Sequence, residues 1–317
     1  MSRYFLHVSA VCLLGFTSLT ALAQPSRVFA PYVDMTKITV TLRQLYAASG
    51  AKTFTLAFIV SGKACEPAWG GTTPISADTR FVTEVSNLRE EGGDALIAFG
   101  GYDGLELAQT CTDTATLQAA YQAVIDKYKA RVLDLDIEHT AIEDPVSIDR
   151  RSQALTALAA TNPGLQINYT LPATPAGLTD LSVNVIKSAV KFGTPVAVVN
   201  LMAMDYGAPV LIGAMGPDAV AAASAAVCQL KSLGLSARIG ITPMIGVNDS
   251  EGETFTLDDA QVVVDYALAN SNVVPLLSFW SIGRDNGSCF GKVSPYCSGI
   301  PQKEWEFAHI FQKFQQQ

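Results

Sequence analysis

The chain reads as a single (β/α)8 barrel, an α/β TIM barrel, and three observations predict it. Eight strand-like segments alternate with eight helix-like ones through the 317 residues, with no composition break, linker or low-complexity tract. The chemically distinctive residues gather at the carboxyl ends of those strands, where such barrels build their active sites. No glycine-rich phosphate fingerprint follows the first strand, which disfavours a doubly wound sheet of similar length.

Residues 1–23 stand apart. They carry one basic residue, Arg3, and an apolar run over 8–22 interrupted by Ser9, Thr17 and Ser18, and they end in the small-x-small triplet Ala21-Leu22-Ala23. That pattern predicts a secretory signal peptide rather than a membrane span, with the barrel occupying 24–317 and exported.

Along the barrel, a first strand is expected over 28–35, carrying Tyr32 and Asp34, and a short helix over 41–49 stopped by Gly50. A second strand over 54–60 runs into a loop holding Cys65, Trp69, Gly70 and Gly71. The next helix, 78–91, has Asp78 as its N-cap and Gly92 as its stop. Strand three, 95–99, turns out through Gly100, Gly101 and Tyr102, and a helix follows over 114–129. Strand four covers 131–139 and a helix 147–160. Strand five, 165–171, holds Asn168 and Tyr169, and its helix spans 181–191. Strand six, 196–204, is apolar along its length, as a strand covered on both sides must be. It ends in Met204, Asp205 and Tyr206. An alanine-rich helix over 217–233, a strand over 238–245 ending near Met244, and a helix over 256–269 follow. Strand eight, 273–280, ends at Trp280, and a last helix covers 304–315.

Strand four carries the chemistry. Side chains alternate between the faces of a strand, so Asp134, Asp136 and Glu138 share one face and Leu133, Leu135 and Ile137 the other. Three carboxylates in line are costly to bury without a use. The plainer reading is a solvated edge strand or a structural polar network, which the flanking helices disfavour. Crowding and apolar walls raise a carboxyl pKa, so Glu138 at the strand tip suits a general acid. Asp136 lies two residues deeper and is able to share a proton with Asp134 or bond a substrate group. Trp280 and Tyr206 suit sugar-ring faces, and Tyr32, Tyr169, Gly100 and Gly101 are expected to line the cleft. The chemistry indicated is glycoside hydrolysis. The common scheme needs a second carboxylate about 5–5.5 Å away as nucleophile or about 6.5–9.5 Å away as base, and Asp205 is the candidate. A 2-acetamido sugar offers another route, attack by its own carbonyl oxygen.

The formal charge is −8, becoming −9 once Arg3 leaves, which argues against nucleic acid and anionic membranes and fits a neutral substrate. Three histidines and no CxxC spacing predict no metal site, and no cofactor is expected. Export permits disulfides. Cys289 and Cys297 lie within one loop, and Cys65 and Cys111 each follow a strand end, so two pairs are expected, with Cys228 a buried thiol on its helix. A monomer is expected.

Asp134-Leu135-Asp136-Ile137-Glu138 resembles the DxxDxDxE signature of glycoside hydrolase family 18, the chitinases. Ala98-Phe99-Gly100-Gly101 resembles that family's SxGG element, Met202-Ala203-Met204-Asp205-Tyr206 its strand-six motif, and Ser278-Phe279-Trp280 its strand-eight tryptophan. The resemblance covers essentially all of 24–317. It implies a secreted hydrolase of chitin or chitooligosaccharides that retains configuration without a covalent enzyme intermediate. Glu138 would protonate the glycosidic oxygen. Asp136 would orient the N-acetyl group and stabilise an oxazolinium intermediate, backed by Asp134. Trp280 would floor the sugar ring, and Asp205 with Tyr206 would contact the acetamide. The departures are Arg131 for the signature's first aspartate, Ala98 for the usual serine, and Met204 for a common tyrosine, whose place Tyr206 would take. Only 246–255 separate strand seven from its helix, too few for the inserted α+β subdomain of some members, so an open groove and endo-type or mixed cleavage are expected. A non-catalytic lectin-like barrel and an endo-β-N-acetylglucosaminidase acting on N-glycans or peptidoglycan are the alternatives.

Overall fold

A computed structural model describes residues 27–207 and 214–315. The expected leader, residues 1–23, lies outside them. Strand β1 comes in two pieces, Val28–Phe29 and Tyr32–Asp34. It is followed by β2 (Thr53–Ser61), β3 (Asp94–Gly100), β4 (Val132–Asp136), β5 (Gln166–Thr174), β6 (Val196–Met202), β7 (Arg238–Thr242) and β8 (Leu276–Leu277). Every sequential pair is parallel, and β8 returns to pair with Val28–Phe29, closing the ring.

The helices between them are α1 (Leu42–Ser49), α2 (Arg80–Glu90), α3 (Thr114–Tyr128), α4 (Pro145–Thr161), α5 (Asp180–Phe192), α6 (Met215–Ser232), α7 (Leu257–Ala269) and α8 (Glu306–Phe311). Their ends follow local chemistry. Thr41 and Gln44 close a capping box on α1, and Gly50 ends it at φ +72°. Asp78 accepts hydrogen bonds from the Phe81 and Val82 amides at 2.9 and 3.0 Å, starting α2 as expected. Pro145 opens α4 where no amide hydrogen is needed.

The core fills the layer between barrel and helices. Phe29, Phe279 and Phe311 lie ring to ring, with centroids 5.3–5.6 Å apart, where the last helix meets the seam between β1 and β8. Trp69 is core rather than cleft: its Nε1 donates to Tyr128 Oη at 2.7 Å, and that hydroxyl donates to Asp78 at 2.8 Å. Behind β3 and β4, Arg151 on α4 pairs with Glu106, both buried. The expected disulfides Cys65–Cys111 and Cys289–Cys297 are present, and Cys228 is half-buried on α6. A two-stranded hairpin, Gly246–Val247 with Thr254–Phe255, is all that stands between β7 and α7. Among the described residues no helix is long and apolar enough to cross a membrane.

Several boundaries differ from expectation: the sixth strand ends at Met202, the seventh at Thr242 and the last helix at Phe311, and two more differ at the mouth of the barrel. The fourth strand stops at Asp136, and Glu138 stands just before a short helix, His139–Glu143, with its side chain free of that helix's amides, instead of ending a ladder. Regular pairing in β8 covers only Leu276–Leu277, with Trp280 joined to Met244 by one bridge.

Candidate active site

Alternation along β4 sends Leu133 and Leu135 into the helix layer and Asp134 and Asp136 into the barrel. In register, Asp134 stands between Ala98 on β3 and Asn168 on β5, and Asp136 between Gly100 and Thr170. Asp134 is 1% exposed, yet both its oxygens are served: Tyr32 Oη donates at 2.6 Å and Thr170 Oγ1 at 2.7 Å. Burial pushes its carboxyl up to about 6, with these two bonds opposing the rise.

Asp136 is 6% exposed and hydrogen-bonds Glu138 rather than Asp134, leaving its Oδ1 without a partner. Burial, then the charges of Glu138 and Asp134, lift it well above the usual carboxylate range. Glu138, half-buried, is raised to about 7. Burial is the largest cause, and the charges of Asp205 and Asp103 add to it, while the Asp136 bond opposes it. Near neutral pH the pair therefore shares one proton beside an ionised Asp134.

An aromatic wall stands over the row. Trp280, partly exposed, stacks on Phe58 (5.6 Å, 21°) and meets Tyr32 edge-on (5.9 Å, 63°). Alternation in β2 would have pointed Phe58 outward, but a register shift between Leu56 and Ile59 turns it to the mouth. Beyond Gly101, Tyr102 stacks on His139, directly after Glu138, at 4.8 Å.

Several expected cleft residues are placed otherwise. Tyr32 is buried and its hydroxyl serves Asp134, so it supports the row instead of meeting a ligand. Gly100 and Gly101 (φ +90° and +83°) are spacers: a Cβ on Gly100 would lie 2.0 Å from the Asp136 carbonyl oxygen, and one on Gly101 2.7 Å from the Phe58 ring. Tyr169 is a correction. It has the outward parity of Leu135 and Leu171, and lies fully buried beside Arg151 in the helix layer. Tyr206 is another. The sixth strand ends at Met202, and the chain then turns so that the Tyr206 ring packs on the core with its hydroxyl buried near Asp218, while its amide donates to Glu253 at 3.0 Å. Tyr206 therefore does not take the place of the missing tyrosine. Met204 is half-buried. Asp205 is exposed at φ +49°, accepts the Ser250 amide at 2.7 Å, and raises Glu138 by its charge. Asp34 accepts bonds from Thr36 in its own turn. Arg131 is exposed at the foot of the barrel, 3.8 Å from Asp94, and takes no part in the row. Among the described residues no cluster of histidine, cysteine and carboxylate side chains suits a metal.

Sequence reasoning missed Phe58, Thr170, Asn200 and Glu253. The parity of Asn168 was signal enough for Thr170; Glu253, whose carboxylate binds the Tyr206 and Gly207 amides, gave none.

The arrangement offers two bonded carboxyls at a strand tip with one proton between them, a third carboxyl held by two donors beneath, and aromatic faces alongside. That equipment fits acid-assisted cleavage of a sugar linkage.

No protein-family profile matches the chain. The "Probable bifunctional chitinase/lysozyme" of Escherichia coli (strain K12) is 35% identical over 321 residues, covering 93% of this chain and 35% of its own length. "Endochitinase 11" of Metarhizium anisopliae is 35% identical over 285 residues, covering 83% of this chain and 53% of its own. The chain thus spans between a third and about half of these relatives. The catalytic domain of the hyperthermophilic chitinase from Pyrococcus furiosus superposes with a TM-score of 0.82 at 37% identity, over 92% of this chain and 95% of that one. Catalytic site mutants of active domain 2 of that organism's thermostable chitinase, complexed with chito-oligosaccharides, superpose at 0.81 with 36% identity and the same coverage. Fold and likeness together define a TIM-barrel glycoside hydrolase. The chain belongs to family 18 of that class, the family of the chitinases.

Proposed function

We propose that this protein is a secreted chitinase that hydrolyses β-1,4 linkages between N-acetylglucosamine units by a retaining, substrate-assisted mechanism, its barrel over 24–317 acting as a monomer. The observation that carries the proposal is the row Asp134, Asp136 and Glu138, with one proton shared by the last two at the mouth of the barrel. The chito-oligosaccharides bound to the Pyrococcus furiosus mutants support the substrate class. Two disulfides support an oxidising compartment.

In the reaction, Glu138 gives its proton to the glycosidic oxygen as the bond to the anomeric carbon breaks. The substrate's acetamide oxygen bonds to that carbon, giving an oxazolinium ion. Asp136 bonds the acetamide N–H and balances the developing charge, and Asp134 holds the negative charge beneath it. Glu138, now a carboxylate, takes a proton from the water that opens the ring on the same face. Asp205, the candidate for a conventional nucleophile, is turned toward the Ser250 amide, which it accepts at 2.7 Å, and hydrogen-bonds neither Asp136 nor Glu138. Trp280, backed by Phe58, is the sugar platform. The short hairpin beside the mouth supports an open groove and endo-type cleavage.

The test is product analysis with chitotetraose and chitohexaose. Chitobiose and chitotriose, abolished in Glu138→Gln, are expected. Binding without products in the wild type would refute the reading in favour of a lectin. Products from peptidoglycan but none from chitooligosaccharides would move the substrate to that polymer, which the chitinase/lysozyme name of the Escherichia coli relative makes the second choice.

A further inference from the structure

Asp134 lies at the end of a hydrogen-bonded string that crosses the inside of the barrel over four neighbouring strands. Thr242 on β7 donates its hydroxyl to Asn200 Oδ1 on β6 (2.9 Å), Asn200 Nδ2 donates to Thr170 Oγ1 on β5 (3.0 Å), and Thr170 donates to Asp134 Oδ1 on β4 (2.7 Å). All four side chains are 1% exposed, so water does not compete for these bonds. Gly240 makes room for the string, since a Cβ there would lie 2.5 Å from Asn200 Oδ1.

The string has a direction. Thr170 has a single hydroxyl proton. Its oxygen takes a proton from Asn200 and also lies 3.0 Å from Tyr32 Oη, but the shorter bond, at 2.7 Å, is the one in which Thr170 donates to the Asp134 carboxyl. The Thr242 hydroxyl fixes the carbonyl side of the Asn200 amide, which keeps the NH2 turned to Thr170. Tyr32 aims a second hydroxyl at Asp134 from β1. Two donors converging on one buried carboxyl suit an anion and leave a protonated carboxyl nowhere to send its hydrogen. The titratable groups facing Asp134 are Tyr32 from β1 and Asp136 from its own strand. From β3 it meets Ala98, and from β5 Asn168 and Thr170, none of which titrates.

We propose that Asn200 and Thr170 are positioning residues that hold Asp134 as an anion and thereby keep the mobile proton of the site on Asp136 and Glu138. The inference rests on the chitinase reading. Burial already pushes Asp134 up to about 6 against the pull of its two donors. With Thr170 removed or misdirected, Asp134 rises further and draws the proton from Asp136, which then turns away from Glu138. A family serine at position 98 would have faced Asp134 from β3; in this chain Ala98 stands there, and the hydroxyl comes from β5.

The test compares Thr170→Val and Asn200→Leu with the wild type and with the rescue variant Thr170→Ser. Two readouts are taken: the carboxyl titration of Asp134 by NMR of protein labelled with 13C-aspartate, assigned with Asp134→Asn, and the pH profile of kcat on chitohexaose. Loss of one bond to a charged group raises the Asp134 midpoint and the acid limb of kcat together by about one pH unit in Thr170→Val. The shift is in the same direction and smaller in Asn200→Leu, KM changes little, and Thr170→Ser restores both readouts. A merely structural string would lower the melting temperature and leave both midpoints in place. Unmoved midpoints in folded Thr170→Val overturn the proposal; should Asn200→Leu fail to fold, Thr242→Val tests the far link by the same titration. A wild type inactive on chitooligosaccharides refutes the chitinase reading alone, because the Asp134 titration is read without turnover.

Discussion

Raising the pH from 6 to 9 removes the proton that the proposed reaction spends first. Glu138 is held at about 7, chiefly by burial and then by the charges of Asp205 and Asp103. The acid form of Glu138 is the active one, so this group supports the rate below that value, down to the acid limb set by Asp134, and withholds it above. Well above the midpoint each pH unit leaves about a tenth of the acid, so kcat should fall about 50-fold from pH 7 to pH 9 with a limiting slope of −1. In Glu138→Gln the rate at pH 6 should fall by about 100- to 10,000-fold, and what remains should be flat across the alkaline range. Steady-state hydrolysis of chitohexaose at half-unit intervals measures both. An alkaline limb surviving in Glu138→Gln with the same midpoint would assign the proton to another group and refute the reasoning. Stability has a matching sign. Asp134, Asp136 and Glu138 all titrate above their unfolded values, so between about pH 4 and 7 the folded chain binds more protons than the unfolded one. The melting temperature should decline as pH rises through that window, and less steeply in Glu138→Gln.

Three further outcomes follow from particular contacts. Gly100→Ala places a methyl against the Asp136 carbonyl in a left-handed backbone that costs about 1–2 kcal/mol on its own. It should cut kcat at least about tenfold in a protein that circular dichroism shows to be folded, and an unchanged kcat would show that β3 and β4 part without disturbing Asp136. Phe58→Ala removes the stacking behind Trp280 and should raise KM for chitotetraose about three- to tenfold with kcat little changed; an equal loss in kcat would place Phe58 in the chemistry itself. Arg151→Met leaves the Glu106 carboxylate buried without its cation and should cost about 3–5 kcal/mol in urea denaturation, most of it regained in the double variant with Glu106→Leu.

The carboxylate row was legible because a regular strand enforces a two-residue period, and Asp134 and Asp136 obey it. The same rule, applied to β5, would have corrected Tyr169: Asn168 and Thr170 face inward, so Tyr169 cannot. Trp280 was legible as the large aromatic at the last strand end. Phe58 was not, since the shift in register that presents it leaves no mark in the residue pattern. Tyr206 lies four residues beyond the end of β6, where periodicity no longer governs direction and a distant Glu253 anchors the backbone. Tyr32 was expected along the cleft, and the bond from its hydroxyl to Asp134 was not legible, because the two lie 102 positions apart. Both disulfides were legible because loop placement limited the pairings.

The joint between β1 and β8 pairs Val28 with Leu276 and Phe29 with Leu277, and the Val28, Ala30 and Tyr32 amides donate across it to the Pro275, Leu277 and Phe279 carbonyls. Alongside it Ser278 Oγ donates to the Ala30 carbonyl, across 248 positions of chain. Bringing such remote segments together costs on the order of 5 kcal/mol of chain entropy, too much for so short a ladder to repay early in folding. Closure of the ring is therefore expected late in folding, sealed where Phe279 and Phe311 pack together against Phe29. The mouth that gathers Tyr32, Asp134 and Trp280 is complete only with the last strand in place. Competence for catalysis and completion of the fold then become a single event.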